Sequence, residues 1–200
     1  MASCLVGSEM CIRDRVIVIY KILYKQVKVA PYMDYPTIEL KWEEILSSAI
    51  TGLLRQTESM RQQINWGHGA NFDIYKQWGM TVSGSICEQA LAKKMDSYFP
   101  HSVNNFKGSD LHIDGKSIQV RSQLMTKKTN NLIIRQGYKE SDYYFLVGDE
   151  TPTYTFFGYI SAKDIRQKGN WTNFGINTRP YVWSVPIQNL KPITEFKNER

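Results

Sequence analysis

Two short apolar runs separated by Asp114-Gly115 constrain this chain more than any other feature it carries. Asp-Gly between alternating hydrophobic residues is a strong short-range signal for a tight β-hairpin, because both turn positions require positive φ. The flanking segments, Leu111-His112-Ile113 and Ser117-Ile118-Gln119-Val120-Arg121, are therefore expected as antiparallel strands. Successive side chains on a strand alternate between faces, so Ile118 and Val120 are expected in a core, with Gln119 and Arg121 together on the opposite face. Asp110 opens the first strand, and the hairpin is expected to bring it close to Gln119 and Arg121. An acid, an amide and a cation on one sheet face form a layout that suits a divalent-metal phosphodiesterase.

The N-terminal residues are set apart from this reasoning. Cys4–Asp14 resembles the translation of a transposase sequencing adapter, so residues 1–15 are read as a scar without structural meaning. Residues 16–32 have the Ile, Lys and Tyr content of translated AT-rich non-coding sequence, and Met33 is a candidate true start. A membrane anchor is the competing reading, but the apolar run Val16–Tyr20 is broken by Lys21 and Lys25, far short of the roughly 20 residues that span a bilayer. The division is thus 1–32 as an artefact or disordered extension, and 33–200 as one domain with a single core.

That division changes the electrostatics. The full chain carries +6, of which residues 16–32 supply +3 through Lys21, Lys25 and Lys28. Residues 33–200 are left at +3, which permits nucleic-acid contact without demanding it. Of the three cysteines only Cys87 lies beyond the scar, so neither a disulfide framework nor a cysteine zinc site can form. Cys87 sits in an amphipathic pattern as a buried structural thiol, and a cytoplasmic protein is expected.

Residues 38–64 place Ile38, Trp42, Ile45, Leu46, Ala49 and Leu53 at helical spacing, predicting one long amphipathic helix with a bend near Gly52. His68 lies in a turn-rich connection between two glycines, either as an exposed loop side chain or as a metal ligand. A second helix is expected from a cap at Ser83 or Ser85, with Cys87, Leu91 and Met95 as its apolar face. Glu88 then falls in the first turns, where it either complements the helix dipole or serves a site. Further strands are expected at Leu132–Arg135, Tyr143–Gly148, Thr153–Ile160 and Tyr181–Val185, with a short helix capped by Ser161.

Asp110 followed by Gln119-Val120-Arg121 resembles the signature of the PD-(D/E)xK, restriction-endonuclease-like nucleases, in which an Asp opens one strand and a (D/E)-x-K tripeptide lies on the next. Gln119 stands where the family usually has a carboxylate, and Arg121 where it usually has lysine. The run Val103-Asn104-Asn105-Phe106-Lys107-Gly108-Ser109-Asp110 leading to Ile118-Gln119-Val120-Arg121 is also similar to small phage-encoded proteins. The resemblance covers roughly residues 83–190. It implies an α/β (α+β) fold, with a mixed β-sheet flanked by helices after an N-terminal long helix. It also implies metal-dependent hydrolysis of DNA phosphodiesters by a nuclease of phage or mobile-element origin. Mg²⁺ (or Mn²⁺) would be held by Asp110, Glu88, Gln119 and the Val120 carbonyl, with Glu88, Asp110, Gln119 and Arg121 as the catalytic set. Arg121 would hold the scissile phosphate, since a guanidinium stays protonated and makes a poor general base. Lys107, Lys127, Lys128 and Arg135 bracket the site as DNA-backbone contacts. The alternative is the same fold with catalysis lost, acting as a DNA-binding or phage assembly protein. Residues 123–142 carry no helical pattern where the family usually crosses by a helix to its fourth strand, which implies a variant core.

Overall fold

The computed structural model describes residues 35–64, 73–103, 108–125, 131–135 and 141–198. A short strand β1 (Thr37–Glu39) leads into helix α1 (Trp42–Arg61), and α2 (Ile74–Lys94) returns beside it. Strands β2 (Leu111–Ile113), β3 (Lys116–Leu124), β4 (Leu132–Arg135), β5 (Tyr143–Glu150) and β6 (Thr153–Ser161) follow. A 3-10 turn at Ala162–Asp164 enters the single-turn α3 (Ile165–Lys168), and then come β7 (Asn170–Thr172) and β8 (Val182–Val185). The class is mixed α and β: a five-stranded sheet in the order β1-β6-β5-β3-β2, and a three-stranded sheet in the order β4-β8-β7.

The expected hairpin is present. Leu111 pairs with Ile118 and Ile113 with Lys116, while Asp114 (φ 50°) and Gly115 (φ 76°) make the turn in the left-handed region. β3 then runs parallel to β5, with Ile118 beside Tyr143 and Val120 beside Phe145. Two antiparallel neighbours can close with a tight turn, but this parallel pair needs a crossover. That crossover carries β4 into the second sheet, and its described residues contain no helix.

β5 is buried on both faces because it separates two cores. Phe145 and Val147 join Ile118, Val120, Cys87, Leu91 and Phe196 in one; Tyr144 and Leu146 join Leu132, Ile134, Phe157 and Val185 in the other. The first lies under α2, and the second is completed by the small sheet. The sheet was expected to be flanked by helices with a variant core in place of the usual crossover helix, and the second face carries β4 and β8. In the first core Phe145 stacks on Tyr159 with centroids 5.2 Å apart, and Phe196 meets both rings edge-on. Phe196 comes from the final 3-10 turns (Ile193–Asn198), a segment without a periodic pattern to announce its burial.

The two helices differ from expectation in ways that matter for the site. Ile38 belongs to β1, where it pairs with Tyr154. α1 runs unbroken through Gly52 and turns its small and polar residues inward: Ser48, Thr51, Gly52, Gln56 and Ser59 are buried with Ile45, whereas Trp42, Leu46 and Leu53 face outward. Close approach to α2 is the reason. A Cβ at Gly52 would lie 2.9 Å from both the Thr81 carbonyl oxygen and the Val82 Cα, so no larger residue fits without separating the helices. Polar bonds fasten the contact: the Ser85 hydroxyl donates to the Ser48 carbonyl at 2.8 Å, and Lys93 pairs with Glu44 at 2.6 Å.

α2 begins ten residues before Ser83. Asp73 is its N-cap, accepting from the Lys76 amide at 2.8 Å. Cys87, Leu91 and Met95 are buried as the periodicity requires. Burial raises the Cys87 thiol pKa well above its ordinary value, reinforced by the negative charges of Asp149 and Glu88.

Candidate functional site

One cleft of about 320 Å³ gathers residues from both helices, the loop at 102–103 and the hairpin. Glu88, Asp110, Val120 and Arg121 all line it, together with Arg55, Gln56 and Ser59 of α1, Thr81 and Gly84 of α2, and the hydroxyls of Ser102, Ser109 and Ser122. Its position follows from the unequal strand lengths of the hairpin. β2 begins only at Leu111, opposite Ile118, so the edge of β3 lies open beyond that pair. Asp110 occupies the opening: its Oδ2 accepts the Val120 amide proton at 2.9 Å in place of a strand partner.

Arg121 folds back along the same edge. Its Nη1 donates to the Val120 carbonyl at 3.2 Å and its Nη2 to the Gln119 Oε1 at 3.2 Å. The Val120 carbonyl assigned to a metal is thus engaged by a guanidinium. Gln119 does not line the cleft. It is 1 % exposed, beside Tyr144 on the sheet face that meets the second core, and its Nε2 has no hydrogen-bond partner among the described residues. Gln119 and Arg121 share a face, as strand alternation predicts, but the small sheet covers that face and only the longer Arg121 reaches round the strand edge to the cleft.

Glu88 is in the middle of α2, some four turns from the N-cap, which removes the dipole reading since that effect fades within the first turn. It is 8 % exposed, and its Oε2 accepts from Arg55 Nη1 at 2.6 Å. Arg55 also donates to the backbone carbonyls of Pro100 and Ser102, at 3.1 and 2.9 Å, so one guanidinium fixes both the glutamate and the loop at the cleft mouth. Sequence reasoning passed over Arg55. The available signal was the row Ser48, Gly52, Gln56 and Ser59 on α1, whose small and polar side chains mark a face that packs closely on another helix.

The remaining assignments lie elsewhere. Arg135 is half-buried on β4 beside Val182 and does not line the cleft. Lys107, Lys127 and Lys128, as well as His68, lie outside the described residues. Tyr143 packs on Phe196 in the first core, and Trp171 stacks on Tyr181 in the second sheet.

The charged lining consists of two carboxylates, Glu88 and Asp110, and two guanidiniums, Arg55 and Arg121. Among the described residues no three His, Cys, Asp or Glu side chains gather as a metal site. The donor set therefore fits a hard cation such as Mg²⁺ only in its usual sparse manner, through one or two carboxylates with retained waters and substrate phosphates. Asp110 and Glu88 are the residues that would hold it. Among the described residues no helix is long and apolar enough to cross a membrane. Comparison of the chain with family models, with curated proteins and with solved structures yields no match in any of the three.

Proposed function

We propose that this cleft binds DNA and hydrolyses its phosphodiester bonds with the help of a divalent cation. The observation that carries this reading is the meeting of Glu88, from a helix, with Asp110 and Arg121, from the hairpin, in one cleft. The strand order supports it as well, since a parallel partner for β3 through a crossover is what a restriction-endonuclease-like core of reduced form requires. A bound cation would polarise a phosphoryl oxygen and supply an activated water at neutral pH. The chain's own residues do the rest. Asp110, anchored on the Val120 amide, presents its carboxylate at a fixed point of the strand edge. Arg121 offers a planar pair of donors to the phosphate and stabilises charge that builds on it. Arg55 holds Glu88 in place and balances its charge, so the described lining is neutral before any cation enters and positive afterwards, matched to a polyanion.

Cleavage of plasmid and branched DNA with Mg²⁺ or Mn²⁺ tests this, comparing the wild type with Asp110→Asn. Loss of a carboxylate that serves a metal removes several kcal/mol of transition-state stabilisation, so a fall of more than about hundredfold is expected. Equal cleavage by both proteins, or by neither, removes the enzymatic reading. A second reading, DNA binding without cleavage, is favoured by the Arg55–Glu88 pair and by the burial of Gln119 away from the cleft. It expects DNA retention by wild type and Asp110→Asn alike, weakened by Arg121→Ala.

A further inference from the structure

The outward side of α1 is apolar along its whole length. Trp42, Leu46, Ile50, Leu53, Leu54 and Met60 are each between 36 % and 68 % exposed. With Thr57 included, the row Leu46, Ile50, Leu53, Thr57, Met60 advances in alternating steps of four and three, the interval of a helix-pairing seam. At these exposures the six apolar side chains present roughly 600 Å² per molecule, at the upper limit of what monomers leave in one patch. The opposite side of α1 is already occupied by α2 through Ser48, Gly52, Gln56 and Ser59.

We propose that a second copy of this chain docks on this face, α1 against α1 in antiparallel, about a two-fold axis near Thr51 and Gly52. The row is self-complementary about that point. Reversal places Ile50 opposite Leu53, Leu46 opposite Thr57, and the pair Trp42 and Glu43 at the level of Met60 and Arg61. The charges select the same orientation. Glu43 and Arg61 are eighteen residues apart, which is five turns at 3.6 residues per turn, so they flank the stripe at one azimuth from opposite ends. Both are exposed, Arg61 at 71 %, where it is held by Glu58 of its own helix. An antiparallel pair brings Glu43 of each copy to Arg61 of the other, whereas a parallel pair sets like charges together. The paired stripes cover roughly 1,200 Å² before their polar rim, the lower bound for a specific interface. The contact lies on the side of α1 away from the cleft, so it stands whether or not the cleft cleaves DNA.

Sedimentation equilibrium of the full chain, from about 1 to about 100 μM, tests the proposal against dissociation constants typical of such interfaces. A dimer is expected. Ile50→Glu, which sets two carboxylates near the axis, is expected to dissociate it while leaving the circular dichroism spectrum unchanged and the Tm equal to that of wild type diluted to the monomer. Glu43→Arg and Arg61→Glu are each expected to weaken the dimer about tenfold, and the double exchange to restore it, because opposite charges again meet across the axis. Three results overturn it: a monomer throughout the range, a dimer indifferent to Ile50→Glu, or a double exchange as weak as the single variants. A monomer destabilised by Ile50→Glu would show instead that Ile50 is covered within the chain.

Discussion

Gly52 is the position at which the structure makes its sharpest demand on the sequence. Replacing glycine by alanine inside an exposed helix stabilises it by about 0.8–1.0 kcal/mol, because alanine loses less backbone freedom on folding. At Gly79 of α2 nothing lies within 4 Å of the new methyl group, so Gly79→Ala should show that full gain. At Gly52 the methyl meets the Thr81 carbonyl oxygen and the Val82 Cα at 2.9 Å and the Ser85 Cβ at 3.1 Å. Ordinary contacts of that kind sit near 3.5–4.0 Å, and backbone atoms cannot swing aside, so α1 and α2 must part by roughly half an ångström or more. Overpacking of this type costs about 1–3 kcal/mol, which outweighs the propensity gain. Gly52→Ala should therefore unfold below wild type and Gly79→Ala above it. For a chain of this length the two midpoints should lie roughly 5–10 °C apart. Thermal unfolding followed by circular dichroism measures the gap. The same separation stretches the 2.6 Å Arg55–Glu88 pair that spans the helices, so DNA binding or cleavage should fall with Gly52→Ala and not with Gly79→Ala. If Gly52→Ala melts at or above Gly79→Ala, the close helix contact is wrong, and with it the fixed geometry of the cleft.

Two further outcomes follow from the described contacts. With Cys4 and Cys11 replaced by serine, Cys87 should stay silent toward a thiol reagent in the folded protein and titrate as one equivalent after denaturation, since burial both shields it and raises its pKa. Rapid native-state labelling would contradict that placement. Asp142 accepts the Ser117 amide and hydroxyl, each at 2.8 Å, joining the starts of the parallel strands β3 and β5 and lowering its pKa through those two bonds. A lowered folded pKa gives stability that is present above the unfolded value near 4 and lost as pH falls through the folded one. The stability difference between wild type and Asp142→Asn should therefore shrink in acid, by less than about 1 kcal/mol because the carboxylate is exposed. A urea midpoint difference that stays constant from about pH 7 to pH 3 would refute the assignment.

The sequence carried its local chemistry faithfully and its tertiary covering poorly, and three residues show where the boundary falls. Asp114 and Gly115 determine a turn through their own backbone preferences, so the hairpin was legible without knowledge of anything distant. Gln119 was not, because strand alternation assigns it a face without saying what lies against that face. β4 and β8 arrive from the crossover and from near the C-terminus, and they close that face into a second core. Glu88 was legible as a position and misjudged as an environment: with the helix start at Asp73, ten residues before Ser83, its distance from the N-cap changes the meaning of the carboxylate. α1 adds a case in which the apolar pattern itself misleads. Periodicity marks Trp42, Leu46 and Leu53 as the inward face, yet the tight approach of α2 requires glycine, serine and threonine at the contact, and so turns the large side chains outward. The inward face then brings Arg55 to Glu88. Polar residues that read as the solvent side of α1 build the cleft, and of the apolar residues that read as its core Ile45 and Ala49 pack inward while Trp42, Leu46 and Leu53 stay exposed.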